Sequence, residues 1–305
     1  MPAETHLAAE GTLSWQGFQT WYRVVGGDGA DRAPLVVCHG GPGMTHDYLS
    51  SLAALAGTGR ALVFYDQLGN GRSGRRPDAP ASFWTPELFV RELETLVESL
   101  GFDDGYHVLG HSWGGMLALE HATRRPRGLR SVIAFSAYGS SALFRTEVAA
   151  LVAALPAETR AAIERHEAAG TVESDEYQQA VRVFYREHVC RTRPVPPEVV
   201  RTLTAMGQDS TVYTAMAGPS EFTMTGSLRD WDITDRLAAV DVPVLLVSGR
   251  HDEVTPTAVS QLREALPSAE WELFEESSHM AHLEEPARFH RTVTGFLAKN
   301  DVATR

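Results

Sequence analysis

The sequence of 305 residues has few cysteines, a shortage of positive charge and no long hydrophobic run. Its two cysteines, Cys38 and Cys190, fall in a strand-like and a distant helix-like segment, which indicates no disulfide framework. Lys and Arg number 27 against 39 Asp and Glu, a formal net charge of −12 that argues against nucleic acid and anionic membranes as partners. Because no signal peptide or transmembrane run is recognisable, we expect a soluble, cytoplasmic protein.

Short apolar runs alternate with amphipathic segments in two separate parts of the chain. A continuous apolar run predicts a strand buried on both faces, and apolar residues at helical spacing predict a helix. Their alternation indicates an α/β fold, with a mostly parallel sheet, helices on both faces and right-handed crossovers. We predict strands near residues 34–38, 61–65, 106–109, 131–136, 242–249 and 270–274, preceded by an antiparallel hairpin near 11–25.

The alternation stops between about residues 139 and 230, where the sequence is rich in Ala and Glu and has helical spacing. We therefore predict a core interrupted by an inserted helical cap. The first part of the core is residues 1–138, the cap is 139–230, and the second part of the core is 231–305. The cap is expected to cover the carboxyl ends of the strands, where ligands bind in open parallel sheets.

A serine between glycines follows the predicted strand at 106–109 and precedes a helical segment. Residues 110–114 read Gly-His-Ser-Trp-Gly, the G-x-S-x-G pattern that exposes a serine hydroxyl at the top of a sheet. The glycines permit a sharp turn and let helix and strand approach closely. We predict that Ser112 is a nucleophile, the alternative being an ordinary strand-to-helix turn.

A nucleophilic serine needs a base within hydrogen-bond reach and a third group that orients the base. In α/β-hydrolases the chain order is serine, acid, histidine, and the last two lie in loops after later strands. Asp252 is the first carboxylate after the penultimate predicted strand, and His279 lies in the loop after the last one. The predicted triad is therefore Ser112, Asp252 and His279. Glu253 is the alternative acid and His282 the alternative base.

The oxyanion of an acyl-transfer reaction needs two donors that already point at it. One is predicted to be the amide of Trp113, the residue after the nucleophile. The other is predicted in the Gly-Gly-Pro-Gly loop after the first buried strand, with Gly41 favoured and Gly40 the alternative. The neighbouring His39 and His111 are interpreted as structural.

Asp66 and Arg72 lie in a polar, glycine-containing loop after the second buried strand. They could form a second catalytic pair, but a structural ion pair within a tight loop explains them better. We expect no metal and no organic cofactor, because no cluster of His, Cys and carboxylate residues has the spacing of a metal site.

Taken together, these motifs resemble the proline iminopeptidase family of α/β-hydrolase serine peptidases. The resemblance implies the α/β-hydrolase fold and removal of an N-terminal residue, often proline, from short peptides through an acyl-enzyme. The family also includes amino-acid amidases. The matching segments are residues 39–43, 66–73, 110–115, 218–222, 226–232, 252–256 and 278–284, and those in the cap and after Asp252 look like the tricorn-interacting aminopeptidase branch.

In that branch two glutamates hold the free amine of the substrate, and the matching positions are Glu221 and Glu253. An α-amino group, with a pKa of about 7.7–8.0, is largely cationic at neutral pH. A carboxylate about 4 Å away contributes roughly 4 kcal/mol at an effective dielectric near 20, before desolvation. The alternatives are a solvated loop charge for Glu253 and a helix-surface or capping residue for Glu221. The expected partners are short peptides or amino-acid amides with a free amine, bound by a monomer.

Two other functions fit parts of this pattern. An amidase or esterase acting on amino-acid amides or simple acyl compounds would use the same triad. A hydrolase scaffold that only captures a ligand would not need all three triad residues, so the complete set disfavours it.

Overall fold

Eight strands form one sheet at the centre of the computed structural model, which describes residues 8–27, 29, 32–266 and 268–301. Along the chain these strands are Ala8–Trp15 (β1), Phe18–Val25 (β2), Leu35–Cys38 (β3), Leu62–Tyr65 (β4), Tyr106–His111 (β5), Leu129–Phe135 (β6), Val244–Gly249 (β7) and Ala269–Phe274 (β8). Their order in the sheet is β1-β2-β4-β3-β5-β6-β7-β8. The pairs β1–β2 and β2–β4 are antiparallel, and all other neighbours are parallel. The predicted mostly parallel sheet is confirmed.

Four of the inner strands are buried along their whole length, as their continuous apolar sequences predicted. Every residue of β3, β4, β5 and β7 is buried, as expected where both faces of a parallel sheet are covered. The predicted hairpin is confirmed between β1 and β2, where Trp15 pairs with Phe18. Its two turn residues, Gln16 and Gly17, have φ angles of 47° and 80°, as a tight hairpin turn between twisted strands requires.

Ten α-helices connect and cover the strands within the described residues. They are Pro86–Ser99 (α1), Trp113–Thr123 (α2), Ser141–Ala154 (α3), Ala157–Ala169 (α4), Asp175–His188 (α5), Pro197–Gln208 (α6), Thr211–Met216 (α7), Pro256–Ala265 (α8), Ala281–Glu284 (α9) and Pro286–Lys299 (α10). Short 3₁₀ segments lie at His46–Thr58, Ala81–Phe83 and Thr234–Ala239. In the ranges that the structure describes, no helix is long and apolar enough to cross a lipid bilayer.

Helices α3 to α7 form one excursion between β6 and β7. The chain leaves and returns at the same place, where Ser140 and Asp232 form an antiparallel bridge. The amide of Ile233 donates to the carbonyl of Gly139 at 2.9 Å, and that of Ser141 donates to the carbonyl of Trp231 at 3.0 Å. Because its ends are tied together, the excursion can be inserted without displacing the sheet.

The loop after β4 is structural, but the predicted ion pair within it is wrong. Arg72 donates its backbone N–H to Asp66 Oδ2 at 2.9 Å, while its guanidinium pairs with Glu10 at 3.0 Å and lies 4.6 Å from the centre of the Trp21 ring. The other oxygen of Asp66 lies 2.8 Å from Nδ1 of His46. The carboxylate therefore organises loop backbone and a histidine, and the arginine covers an aromatic ring.

Helix α2 lies directly against the sheet because its first turn contains glycine. A Cβ on Gly114 would lie 2.2 Å from the carbonyl oxygen of Cys38, and one on Gly110 would lie 1.9 Å from the carbonyl oxygen of Gly114. A methyl group has no room at either position. The helix that follows Ser112 is thus held against the carboxyl ends of β3 and β5.

We predict opposite effects for alanine at two helical glycines. Gly114→Ala should lower the free energy of unfolding by about 1–3 kcal/mol or more, the usual cost of overpacking. Gly295→Ala in α10, where nothing lies within 4 Å of the new Cβ, should raise it by about 0.5–1 kcal/mol. Urea denaturation measures both values. Equal changes in the two variants would contradict the close contact between α2 and the sheet.

Candidate active site

Ser112 lies at the sharp turn between β5 and α2, with φ 54° and ψ −123°. A non-glycine residue rarely adopts a positive φ, and where it does the surroundings must hold it. Here the amide of Ser112 donates to the carbonyl of Phe135 at 2.8 Å, and its carbonyl accepts from the amides of Gly115 and Met116 at 2.8 and 3.1 Å. The turn thus places the serine beyond the carboxyl end of a central strand.

Asp252 and His279 are joined by a short hydrogen bond. Oδ1 of Asp252 lies 2.6 Å from Nδ1 of His279, and the two residues are 1 % and 3 % exposed. The carboxylate also accepts from Ser136 Oγ at 2.6 Å and from the amide of Val254 at 2.8 Å. With Nδ1 donating to the carboxylate, Nε2 is the ring nitrogen that can accept a proton.

One cavity of about 60 Å³ brings the predicted residues together, since Ser112, His279, Gly41, Trp113, Glu221 and Glu253 all line it. Within the described chain, no hydrogen bond joins Ser112 Oγ to the imidazole of His279. Instead, Nε2 of His279 lies 3.5 Å from Oε1 of Glu253. Catalytic hydrogen bonds are often long without substrate and tighten when it binds. The absence of a hydrogen bond between Ser112 and His279 is therefore compatible with His279 acting as the base.

The two glycines weighed as oxyanion donors differ in what their amides do. The amide of Gly40 donates to Tyr48 Oη at 2.8 Å, so it is engaged away from the cavity. Gly41, with φ 113°, lines the cavity. Trp113 is the first residue of α2, where an amide has no acceptor within the helix. The geometry therefore favours the amide of Gly41 over that of Gly40 as an oxyanion donor, with the amide of Trp113 as the other.

Two glutamates give the cavity a strongly acidic wall. Oε1 of Glu221 accepts a hydrogen bond from the hydroxyl of Tyr185, while Oε2 of Glu221 and Oε2 of Glu253 are buried without a hydrogen-bond partner. Burial raises the pKa of Glu253 well above its usual value, and the charge of Glu221, close contact between the two carboxyl groups and the charge of Asp252 raise it further. A cation between these carboxylates would satisfy oxygens that otherwise remain unpaired.

The segment between β6 and β7 supplies most of the remaining wall, and these residues had no sequence signal. Tyr185 lies on α5 and Tyr213 on α7, and no motif marks either residue. The other apolar residues of the lining are Pro42, Met44, Met116, Tyr138, Phe144, Val189, Met206, Ala217, Met224, Leu228 and Val254. The space beside the glutamates therefore suits a small apolar group.

The end of α5 is also hydrogen-bonded to the loops that carry Asp252 and His279. The carbonyl of His188 accepts from the amides of Glu253 and His279 at 3.2 and 3.3 Å. The ring of His188 lies 3.0 Å from the carbonyl of His251. Displacement of this helix would therefore move Glu253 and His279 together.

The other histidines near the site are committed to structural bonds. His282, the alternative base, has Nε2 2.9 Å from the carbonyl of Tyr48, and burial lowers its pKa to about 4. His39 accepts from the amide of Gln67 at 2.9 Å through Nε2. Among the residues described, no group of three or more His, Cys, Asp or Glu side chains is arranged to hold a metal ion.

Comparison with known proteins agrees with this architecture. Residues 33–286 match the family model for the alpha/beta hydrolase fold. The chain is 36 % identical to a proline iminopeptidase of Thermoplasma volcanium over 291 residues, which cover 95 % of this chain and 97 % of that protein.

Two solved structures are similar over nearly their whole length. VinJ has 43 % identity and a TM-score of 0.93, covering 96 % of this chain and 99 % of that one. A proline iminopeptidase of Mycobacterium smegmatis has 44 % identity and a TM-score of 0.91, covering 97 % and 100 %. With such identity over nearly the full length, this chain belongs to the proline iminopeptidase family of α/β hydrolases.

Proposed function

We propose that the protein is a serine aminopeptidase that releases the N-terminal residue, proline or another small or apolar residue, from short peptides. The observation that carries this proposal is the position of two unpaired carboxylate oxygens in the cavity that Ser112 and His279 line. A free amine bound there would hold the adjacent carbonyl near the serine. The names of the relatives, proline iminopeptidases, support the preference for proline.

The reaction uses one base twice. With the ammonium between Glu221 and Glu253, Ser112 Oγ attacks the carbonyl carbon and Nε2 of His279 takes the hydroxyl proton. The amides of Gly41 and Trp113 hold the oxyanion. His279 returns the proton to the leaving nitrogen as the peptide bond breaks. Water, deprotonated by the same imidazole, then releases the amino acid from the serine ester.

The division of the chain follows from these roles. We propose that residues 139–230 form the cap, that it closes the amine-binding end of the cavity through Tyr185 and Glu221, and that the two core parts supply the triad. Every group in the reaction comes from one chain, so a monomer suffices and no cofactor is needed.

Amino-acid amides carry the same amine and carbonyl, so a panel of aminoacyl anilides and amides separates peptidase from amidase preference.

We predict that Ser112→Ala abolishes hydrolysis of prolyl anilides, because Ser112 is the one serine among the described residues that lines the cavity with His279. Removal of a triad member typically costs about 10⁴-fold or more in kcat. A fluorophosphonate should label the unchanged protein at Ser112 and fail to label the variant. Thermal melting serves as the control for folding. Full activity in a folded Ser112→Ala protein would reject the mechanism.

We predict that Glu253→Gln and Glu221→Gln reduce kcat/KM for prolyl anilide by at least about 30-fold, since each removes a charge worth up to roughly 4 kcal/mol at close range. Hydrolysis of the N-acetylated substrate should be slow in the unchanged enzyme and should not fall further in the variants. Glu147→Gln is the matched control, because Glu147 accepts from Thr255 Oγ1 at 2.6 Å beside the same loop but outside the cavity lining. Equal losses on both substrates would contradict amine recognition.

Substrate binding should release a proton from Glu253. The raised pKa means that the free enzyme keeps this carboxyl protonated at a pH where an ordinary glutamate is ionised, and a bound ammonium favours the ionised form. Affinity for a cationic substrate should therefore rise with pH as Glu253 ionises, until the substrate amine itself loses its proton.

Calorimetry of a prolyl peptide binding to Ser112→Ala, at a series of pH values above the pKa of an ordinary glutamate and in buffers with different ionisation enthalpies, measures this release. The buffer dependence should disappear when Glu253→Gln is added. Binding without proton release, or release that survives Glu253→Gln, would contradict the assignment.

A further inference from the structure

A chain of buried hydrogen bonds connects the oxyanion loop to the loop of His279. The amide of Gly40 donates to Tyr48 Oη at 2.8 Å, Tyr48 Oη lies 2.7 Å from Nδ1 of His111, and Nε2 of His111 lies 2.8 Å from the carbonyl oxygen of His279. Tyr48 is 0 % and His111 1 % exposed. These bonds join three segments that are distant in the sequence and adjacent at the site.

The direction of each bond follows from the groups it joins. A carbonyl oxygen can only accept a hydrogen bond. Nε2 of His111 must therefore carry a proton and donate a hydrogen bond to the carbonyl oxygen of His279. Burial, with the charges of His279 and His282, lowers the pKa of His111 well below its usual value, so the ring is neutral and Nδ1 is an acceptor. Tyr48 therefore donates to Nδ1 and accepts from Gly40.

The network acts on both sides of the serine. The amide of Gly40 is turned toward Tyr48, whereas the next amide, that of Gly41 at the cavity, has no acceptor among the described residues. Gly40 is also closely packed, since a Cβ there would lie 3.0 Å from both Tyr48 Oη and Ser112 Cβ. At the other end, the bond from His111 fixes the backbone that carries the base.

We infer that Tyr48 and His111 are positioning residues, which hold the oxyanion donor and the imidazole of His279 in register around Ser112. Both act through other groups, Tyr48 through the amide of Gly40, and His111 through the carbonyl and the ring of His279, whose centre lies 4.5 Å from its own. Their contribution is geometric, and a displacement of about 1 Å at a reacting group can cost about 100-fold in rate. The inference rests on the proposed function, because it assigns a role relative to the same nucleophile and base.

The competing explanation is that the pair only stabilises the core, and the chain contains a matched control. Tyr106 Oη lies 2.7 Å from Nε2 of His121, and these residues are 1 % and 0 % exposed. Tyr106 begins β5, at the opposite end of the strand from Ser112. Loss of either tyrosine hydroxyl removes a buried tyrosine–histidine bond, but only Tyr48 is linked to the site.

The test compares Tyr48→Phe with Tyr106→Phe for stability and for kinetics on prolyl anilide. Both should lower the urea midpoint, Tyr48→Phe by more, because its hydroxyl makes two buried hydrogen bonds and that of Tyr106 makes one. Tyr48→Phe should reduce kcat by about 10–100-fold with KM unchanged, the pattern of an interaction needed only in the transition state. Its rate of labelling by a fluorophosphonate should fall in parallel. Tyr106→Phe should keep the kcat and the labelling rate of the unchanged protein.

His111→Gln and His111→Leu provide a second comparison. The glutamine amide can still donate to the carbonyl of His279, so it should retain more of kcat than leucine does. Unchanged kcat in folded Tyr48→Phe, or a loss that appears equally in Tyr106→Phe, would overturn the inference. If Ser112→Ala abolishes activity while Tyr48→Phe is harmless, only the positioning role fails; if Ser112→Ala remains active, the proposed function itself fails.

Discussion

The hydrogen bond between Asp252 and His279 is the interaction on which the site depends. At 2.6 Å and nearly shielded from water, it fixes the ring so that Nε2 faces the cavity. The parallel sheet makes this bond available, because β5, β6, β7 and β8 are consecutive neighbours and their carboxyl ends meet at one edge. Ser136, directly after β6, donates a further hydrogen bond to the Asp252 carboxylate. The order of the strands thus brings the loops that carry Ser112, Asp252 and His279 next to one another, although these residues are distant in the sequence.

A second constraint is the unpaired charge at the other end of the cavity. Buried carboxylate oxygens without donors are unfavourable, and Glu221 and Glu253 each contribute one. A cationic amine would pair with these oxygens and allow Glu253 to ionise, whereas a blocked amine would leave them without a partner. The 3.5 Å contact between Glu253 and Nε2 of His279 places amine recognition directly beside the proposed base. The charge of Glu253, which would change when an amine binds, is therefore close enough to affect the proton affinity of His279.

The sequence was informative where function depends on local patterns. Buried strands have continuous apolar runs, and the turn at Ser112 needs the glycines around it, so the mostly parallel sheet was predicted and is observed. Side-chain partners across the fold were harder. Arg72 was expected to pair with Asp66 but pairs with Glu10, because β1 lies beside the loop and offers an exposed carboxylate. Tyr185 and Tyr48 had no signal at all, since helix packing alone brings them to the site.

In the proposed mechanism, a serine ester forms efficiently only from a substrate with a free amine, and trapping that ester tests this claim most directly. Rapid quenching of the enzyme with a prolyl ester, followed by peptide mapping, should place a prolyl group on Ser112, in an amount equal to the initial burst of alcohol release. The N-acetylated ester should give no comparable burst. A prolyl group on another residue, or equal bursts from the free and acetylated esters, would contradict the account.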